Sequence, residues 1–136
     1  MIAIPHPVAS AARARPDHPA LIWRGWTWTW RELRAAVARR AARLLDDGVR
    51  PGDRVALLGS PSAEWVVAFH AIGWVGAVAA PLPARATAEE LIQALATLDP
   101  ELPVLAKYIC VPLARLRVFV AWRGASPWVL VLTLFL

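Results

Sequence analysis

Cysteine is almost absent from this 136-residue chain, which contains only Cys110. A single cysteine excludes an internal disulfide framework and is typical of a reducing compartment. The motifs of common catalytic sites are also missing from the sequence. It has no P-loop, no dinucleotide-binding fingerprint, no nucleophile elbow and no Cys/His cluster with metal-ligand spacing. The sequence therefore assigns no catalytic, cofactor-binding or metal-binding residue by motif.

Acidic residues are missing from the last 35 residues. Up to residue 101, eleven arginines accompany all ten Asp and Glu residues, so the first part of the chain is nearly neutral. The rest of the formal charge of +5 comes from Lys107, Arg115, Arg117 and Arg123. A nearly neutral body does not attract a phosphate backbone, and the tryptophans at 23, 26, 28 and 30 suit strand packing better than base stacking. We predict no nucleic-acid partner.

Long uninterrupted apolar runs are lacking too. Residues 128–136 form a nine-residue apolar run, whereas a helix that spans a bilayer needs about 20 residues. Extending this run back to Val118 brings in an arginine, a glycine and a proline. Residues 1–10 lack the basic start and apolar run of a secretory signal. We predict a cytoplasmic protein; the alternative is a small non-enzymatic protein that associates weakly with membranes through residues 107–136.

What the chain does contain is the periodicity of short helices and strands. Residues 7–15 are rich in alanine and predict a short helix that ends before Pro16. Residues 20–23 and 26–28 are β-prone runs on either side of Arg24-Gly25. They predict a small hairpin that carries several of the tryptophans.

A second helix is predicted to start after Thr29 and to run to about Asp47. Glu32 lies three residues after Thr29 and completes a capping-box pattern. Gly48 then occupies the position at which helices commonly end. The apolar stripe of this helix consists of Leu33, Val37, Ala41 and Leu44. Its arginines at 34, 39, 40 and 43 lie mostly off the stripe, so we predict a solvated arginine face in preference to the alternative of a ligand-binding one.

Two apolar strands, at 55–58 and 78–82, flank a third helix. Ser60 is expected to cap this helix, with Pro61 in its first position. The helix is apolar on nearly every face, which predicts that it is buried. The strand–helix–strand unit has the right size for a parallel crossover.

A fourth helix is predicted from a second capping box, formed by Thr87 and Glu90. Its apolar stripe consists of Leu91, Ala94, Leu95 and Leu98. Residues 103–106 could then form a third parallel strand. The predicted fold class is α/β, with a parallel sheet, helices packed on it and a small β-hairpin.

Few polar residues are candidates for chemistry. His6, His18 and His70 are scattered, and on its apolar helix His70 is favoured as a packing residue over a catalytic base. Cys110 is as compatible with a small buried side chain as with a reactive thiol. The loop 59–62 lies between a strand and a helix N-terminus, where an anion can bind. Every strand-to-helix turn in an α/β domain shares that geometry, so the loop is weak evidence for a site.

Several segments follow one another in the order and spacing of a known family. They are Pro19–Ile22, the Thr-Trp-Arg-Glu-Leu sequence at 29–33, Gly48–Leu58, Pro61–Phe69, Ile72–Pro83 and the helix start Thr87–Leu91. Over about residues 7–106 the chain resembles the N-terminal part of adenylate-forming acid–CoA ligases, the acyl-CoA synthetase type of AMP-dependent synthetase. Within that family, its short lead-in and arginine-rich body resemble an o-succinylbenzoate–CoA ligase. The resemblance implies a partial N-terminal ligase domain at 1–106, followed by an apolar basic tail at 107–136.

The resemblance implies a two-step reaction in the complete enzyme. A carboxylate attacks the α-phosphate of ATP to give an acyl-adenylate and pyrophosphate, and the thiol of CoA then displaces AMP. This chemistry uses ATP, Mg²⁺, CoA and a small carboxylic acid. It also needs a phosphate loop with a lysine, an acid for Mg²⁺, ribose-binding groups and a mobile C-terminal lysine. None has a counterpart here, and Lys107 is in the wrong setting for either lysine, so no catalytic residue is transferred.

We therefore expect an N-terminal ligase fragment that is inactive alone and binds none of these cofactors well. The abrupt change in composition after residue 106 predicts a truncated or frame-shifted gene, whose last thirty or so residues are not family sequence. A partial sheet leaves edges and helix faces uncovered, so we also predict marginal stability or aggregation.

Overall fold

The computed structural model describes residues 6–98, 120–121 and 129–133 of the chain. Within these residues, short helices and strands alternate along the sequence and build one α/β unit. In chain order the elements are α1 (Pro7–Ala14), β1 (Pro19–Trp23), β2 (Trp26–Thr29), α2 (Trp30–Asp46), β3 (Arg54–Leu58), α3 (Ala63–Trp74), β4 (Val78–Leu82), α4 (Ala88–Leu98), β5 (Val120–Ala121) and β6 (Val129–Thr133).

The predicted hairpin is confirmed as the antiparallel pair β1–β2. Its two turn residues, Arg24 and Gly25, have φ values of 48° and 83°. A two-residue hairpin turn of type I′ requires positive φ at both positions, which glycine adopts without steric cost. The turn places Trp23 opposite Trp26 in the register. Trp26 remains 75% exposed, so the tip of the hairpin presents a large aromatic ring to solvent.

Helix α2 begins and packs as the sequence predicts. The Oγ1 of Thr29 accepts a hydrogen bond from the backbone N–H of Glu32 at 3.3 Å, and the Glu32 carboxylate accepts one from the N–H of Thr29 at 2.8 Å. This reciprocal capping box satisfies two backbone donors that a helix start otherwise leaves unpaired. The predicted stripe is buried in full: Leu33, Val37, Ala41 and Leu44. Gly48 follows the helix with φ of 92°, a backbone conformation that favours glycine.

Among the described residues, the main sheet has four strands in the order β4-β3-β6-β5. Strand β3 pairs in parallel with β4 on one side and with β6 on the other, and β5 is antiparallel to β6. The predicted parallel β3–α3–β4 unit is therefore confirmed. Strand β6 falls in the apolar run that the sequence left open as a membrane segment. The strand predicted at 103–106 lies outside the described residues.

The start of α3 differs from the sequence prediction. Ser62, not Ser60, caps the helix, because the Ser62 Oγ accepts a hydrogen bond from the backbone N–H of Trp65 at 3.1 Å. Pro61 therefore lies before the helix and not in its first position. The cap is set by the helix beginning at Ala63, which makes Trp65 N–H the free donor at the third helical position.

The expectation that α3 is buried holds for one face only. Its buried residues form one face that is rich in small side chains: Ala63, Val67, Ala68, Ala71 and Ile72. The larger rings lie at its margins, and Phe69 is 38% exposed. Alanines let α3 approach its neighbours closely, whereas the bulky rings have no room on that face. The core thus lies between α1, α2, α3 and β3.

Helix α4 follows β4 and confirms the second capping box. The Glu90 carboxylate accepts a hydrogen bond from the N–H of Thr87 at 2.7 Å, and the Oγ1 of Thr87 accepts one from the N–H of Glu90 at 3.3 Å. Leu91 and Leu95 are buried, as the predicted stripe requires. The side chain of Leu98, the last member of that stripe, lies outside the described part of the chain.

Candidate functional site

The loop between β3 and α3 was the sequence's candidate for anion binding. The structure places residues 59–62 at the N-terminus of α3, as predicted. Its Ser62 hydroxyl accepts the capping hydrogen bond from Trp65, while Ser60 is exposed. Gly59 lies beside the Trp65 ring, which would be 3.5 Å from an added Cβ. The loop is thus explained by helix capping and packing, and no residue in it is assigned to a ligand.

The structure brings together two of the three histidines, His6 before α1 and His70 on α3. Their ring centroids are 5.6 Å apart at an interplanar angle of 81°, and the His6 ring lies 5.0 Å from that of Trp74. The Nδ1 of His6 accepts a hydrogen bond from the backbone N–H of Val8 at 3.3 Å, so His6 caps α1. His18 lies apart, exposed in the turn before β1.

Both clustered histidines favour the neutral form. Burial lowers the pKa of His6, opposed by a hydrogen bond with the backbone of His70. Burial also lowers the pKa of His70, and the neighbouring His6 lowers it further. A neutral His6 keeps the lone pair that accepts from Val8, so its protonation state is tied to the cap of α1. The pair is explained as a packing and capping contact between the start of α1 and α3.

A cleft between α2 and α3, which we call the arginine cleft, was not predicted from the sequence. Its volume is about 210 Å³, and it is lined by Trp28, Ala36, Arg39, Arg40, Arg43, Glu64 and Val67. Arg40 is half-buried, so the expectation that the arginines of α2 form a purely solvated face is wrong at this position. Helix α3 lies across the cleft from Arg40, and the sequence pattern of α2 alone does not predict this neighbour. The spacing of the arginines at 39, 40 and 43 predicts that they share one face of α2. It does not predict which element packs against that face.

Metal and membrane sites are not evident in the described part of the chain. Residues 6–98, 120–121 and 129–133 contain no group of three or more His, Cys, Asp or Glu side chains that could hold a metal ion. Over the same residues, no helix has both the length and the apolarity to cross a membrane. Lys107 and Cys110 lie outside the described residues.

A model of the AMP-binding enzyme family matches residues 8–120, which is well over half of the chain. The chain belongs to the AMP-binding enzyme family. This confirms the resemblance found in the sequence.

Curated relatives of this family member are several times longer. A 3-[(3aS,4S,7aS)-7a-methyl-1,5-dioxo-octahydro-1H-inden-4-yl]propanoyl:CoA ligase of Mycobacterium tuberculosis is 44% identical over 87 residues, which make up 64% of this chain and 17% of that protein. A feruloyl-CoA synthase of an Amycolatopsis species is 44% identical over 85 residues, or 62% of this chain and 17% of that one. The matched part of the chain therefore spans less than a fifth of the length of these relatives.

Solved structures of the family share the fold. Unliganded o-succinylbenzoate coenzyme A synthetase (MenE) of Bacillus subtilis superposes with a TM-score of 0.66 at 35% identity, covering 68% of this chain and 20% of that one. The N-terminal subdomain of Klebsiella oxytoca NpsA superposes with a TM-score of 0.65 at 26% identity, covering 67% and 24%. The chain thus has the α/β fold of the N-terminal subdomain of adenylate-forming enzymes.

Proposed function

We propose that this chain is the N-terminal portion of an ATP-dependent acid–CoA ligase. The complete enzyme would join a carboxylate to the α-phosphate of ATP with release of pyrophosphate. It would then pass the acyl group to the thiol of CoA with release of AMP. The observation that carries the proposal is the 44% identity, over nearly two thirds of the chain, to two enzymes that are named as CoA ligases or synthetases.

The acid substrate we propose is o-succinylbenzoate, in a cytoplasmic enzyme. Support comes from the superposition on the Bacillus subtilis o-succinylbenzoate coenzyme A synthetase, with a TM-score of 0.66 at 35% identity. ATP, Mg²⁺ and CoA would be the cofactors of the complete enzyme. Within the described residues no observation favours the alternative of a membrane-associated, non-enzymatic protein.

The contribution of this chain, in our proposal, is scaffold and not chemistry. Its described residues contain no lysine and no potential metal-binding cluster, whereas adenylation needs positive charge and a metal ion at the phosphates. We therefore propose that the chain alone does not activate a carboxylate. We propose that the partial ligase domain ends at residue 106 and that an apolar basic tail follows. This boundary rests on the change in charge alone, because the family match continues past it to residue 120.

ATP–pyrophosphate exchange on the purified 136-residue chain tests the scaffold role. We expect no acid-dependent exchange with Mg²⁺ and a panel of carboxylic acids that includes o-succinylbenzoate and ferulate. The Bacillus subtilis enzyme, assayed in parallel, is the positive control. A dispersed NMR spectrum of the chain shows that a negative result does not come from unfolding. Acid-dependent exchange would instead reveal an adenylating site within these 136 residues and overturn the scaffold role.

A chimera tests the ligase assignment itself. Residues 7–98 of this chain would replace the superposed segment of the Bacillus subtilis synthetase. If they form the same scaffold, the chimera keeps o-succinylbenzoate-dependent exchange and forms the CoA ester. A folded chimera that makes the adenylate but not the CoA ester would argue against the CoA ligase assignment.

A further inference from the structure

The arginine cleft contains two buried polar atoms that have no hydrogen-bond partner among the described residues. They are the Nε of Arg40, a donor, and the Oε2 of Glu64, an acceptor. Both side chains line the same cleft, one from α2 and one from α3. Buried donors and acceptors in folded proteins are almost always paired. A molecule in the cleft would satisfy both atoms once the two side chains turn toward it, by accepting from Arg40 and donating to Glu64.

The positive charge of the cleft favours a negatively charged molecule. Arg39, Arg40 and Arg43 oppose the single carboxylate of Glu64, which leaves a net charge of +2 around the cavity. The pKa of Arg40 is lowered, chiefly because burial disfavours its charged form and secondly because Arg43 repels it, while Asp47 opposes the shift. An arginine nevertheless stays protonated at neutral pH. A negative group placed beside Arg40 would offset both the burial and the repulsion.

The apolar residues that line the cleft favour a molecule with an apolar, aromatic part. Trp28, Ala36 and Val67 provide apolar surface, and one of the three is an indole ring. Aromatic groups pack favourably on aromatic side chains. A volume of about 210 Å³ is smaller than the 300–1,000 Å³ or so that is usual for drug-sized ligands, so it suits a compound with one ring.

We propose that the arginine cleft is a binding site for a small aromatic carboxylate that also carries a hydroxyl group. The carboxylate accepts the hydrogen bond from Arg40, the hydroxyl donates to Glu64, and the ring packs against Trp28. The proposal involves neither ATP nor the acyl-adenylate. Its test therefore succeeds or fails independently of the ligase assignment.

Titration of the ¹⁵N-labelled 136-residue chain with 4-hydroxybenzoate, in the absence of ATP, tests the site. The readout is the indole N–H signal of Trp28, identified by its loss in Trp28→Phe. We expect a saturable shift with a Kd below about 1 mM. Benzoate lacks the donor and phenol lacks the anion, so each should bind about tenfold more weakly. Equal shifts with all three compounds would show non-specific stacking and overturn the proposal.

Variants that remove the same charge at different positions show whether Arg40 binds the carboxylate. Arg40→Gln should weaken binding of 4-hydroxybenzoate by about tenfold or more, because it removes a charge-assisted hydrogen bond. Arg34→Gln removes the same charge from an exposed position of α2 outside the cleft and should leave Kd within about twofold. Glu64→Gln should reduce the preference for 4-hydroxybenzoate over benzoate. The other indole signals in each spectrum report whether the variant remains folded.

Two results with the variants would overturn the site. One is unchanged binding in folded Arg40→Gln, which would place the ligand elsewhere. The other is an equal loss in Arg34→Gln, which would show that the overall positive charge of α2 attracts the anion. Absence of any saturable Trp28 shift would mean that water alone satisfies the two buried atoms.

Discussion

The two helices α2 and α3 pack against each other, but they differ in which of their apolar residues are buried. Helix α2 has one narrow apolar stripe, and all four of its residues are buried. Helix α3 is apolar around most of its circumference, yet only an alanine-rich face is buried. The large ring of Phe69 stays 38% exposed, and Trp65, which stacks on it at 5.5 Å, is half-buried.

The difference shows when an apolar pattern identifies the buried face of a helix. In α2, charged residues and alanines occupy most of the remaining surface, so hydrophobicity is enough to select the stripe. In α3, most faces are apolar, and side-chain volume selects between them. Ala68 and Ala71 are fully buried because small residues let the helix lie close to its neighbours. Hydrophobicity thus decides the orientation of α2, whereas packing volume decides that of α3.

The largest expected effect comes from the stripe of α2. Leu44 is 1% exposed and its neighbour Leu45 is 54% exposed, so the two leucines form a matched pair. Leu44→Ala should lower the free energy of unfolding by about 2–5 kcal/mol, because it removes buried methyl groups and leaves a cavity. Leu45→Ala should change it by less than about 0.5 kcal/mol. Urea unfolding followed by circular dichroism measures both, and similar losses would show that α2 is not oriented by its stripe.

The start of α2 was predictable from the sequence, and the start of α3 was not. Thr29 and Glu32 are the only residues placed to form a capping box there, so local hydrogen bonding fixes the helix start. Before α3, Ser60 and Ser62 are both good caps. Which of them acts depends on where β3 ends and how α3 lies against the sheet. Tertiary packing therefore decides which of the two serines caps the helix, and the local sequence does not predict it.

The glycines that follow the two helices give the second contrast. Gly48 after α2 and Gly76 after α3 have φ values of 92° and 79°. An added Cβ would meet nothing within 4 Å at Gly48 but would lie 3.2 Å from the Cβ of Pro51 at Gly76. The carbonyl of Gly76 also accepts a hydrogen bond from the N–H of Gly52 at 2.8 Å, so that turn cannot withdraw freely.

Alanine substitutions at the two glycines therefore differ in expected cost. Gly48→Ala should lower the free energy of unfolding by about 1–2 kcal/mol, from backbone strain alone. Gly76→Ala should cost about 1 kcal/mol more, because its methyl group crowds Pro51. The same urea unfolding measurement compares them. Equal costs would mean that the turn at Pro51 yields without loss and that α3 is not held tightly against it.

Long-range partners account for what the sequence did not reveal. The order of segments identified the family and the β3–α3–β4 unit, because these are local and sequential features. The pairing of β6 with β3 joins residues 129–133 to residues 54–58, and no periodicity signals such a distant pair. Arg40 is similar: its place on the polar face of α2 was clear, but its burial depends on α3. From the sequence, the arginines of the cleft were interpreted as a solvated face in preference to a ligand-binding one.

The smallest expected effect concerns pH and again separates the two helices. Helix α3 carries His70 against His6, whereas α2 contains no histidine. Burial lowers the pKa of both rings, so between the ordinary value of about 6.5 and the lower folded value the unfolded chain binds more protons than the folded one. Stability is therefore greatest above about pH 6.5 and falls as the pH drops through the folded pKa values.

Urea midpoints between about pH 7.5 and about pH 5.5 measure this loss in a window above the carboxylate range. His6→Asn keeps an acceptor for the cap of α1 and removes one of the two titrating rings, so its midpoint should fall less on acidification. His18→Asn, in an exposed turn, should follow the wild type. An identical pH dependence in His6→Asn and the wild type would show that the contact between the start of α1 and α3 is open in solution. The exposed margin of α3 would then extend further than the structure indicates, and the contrast with α2 would be greater.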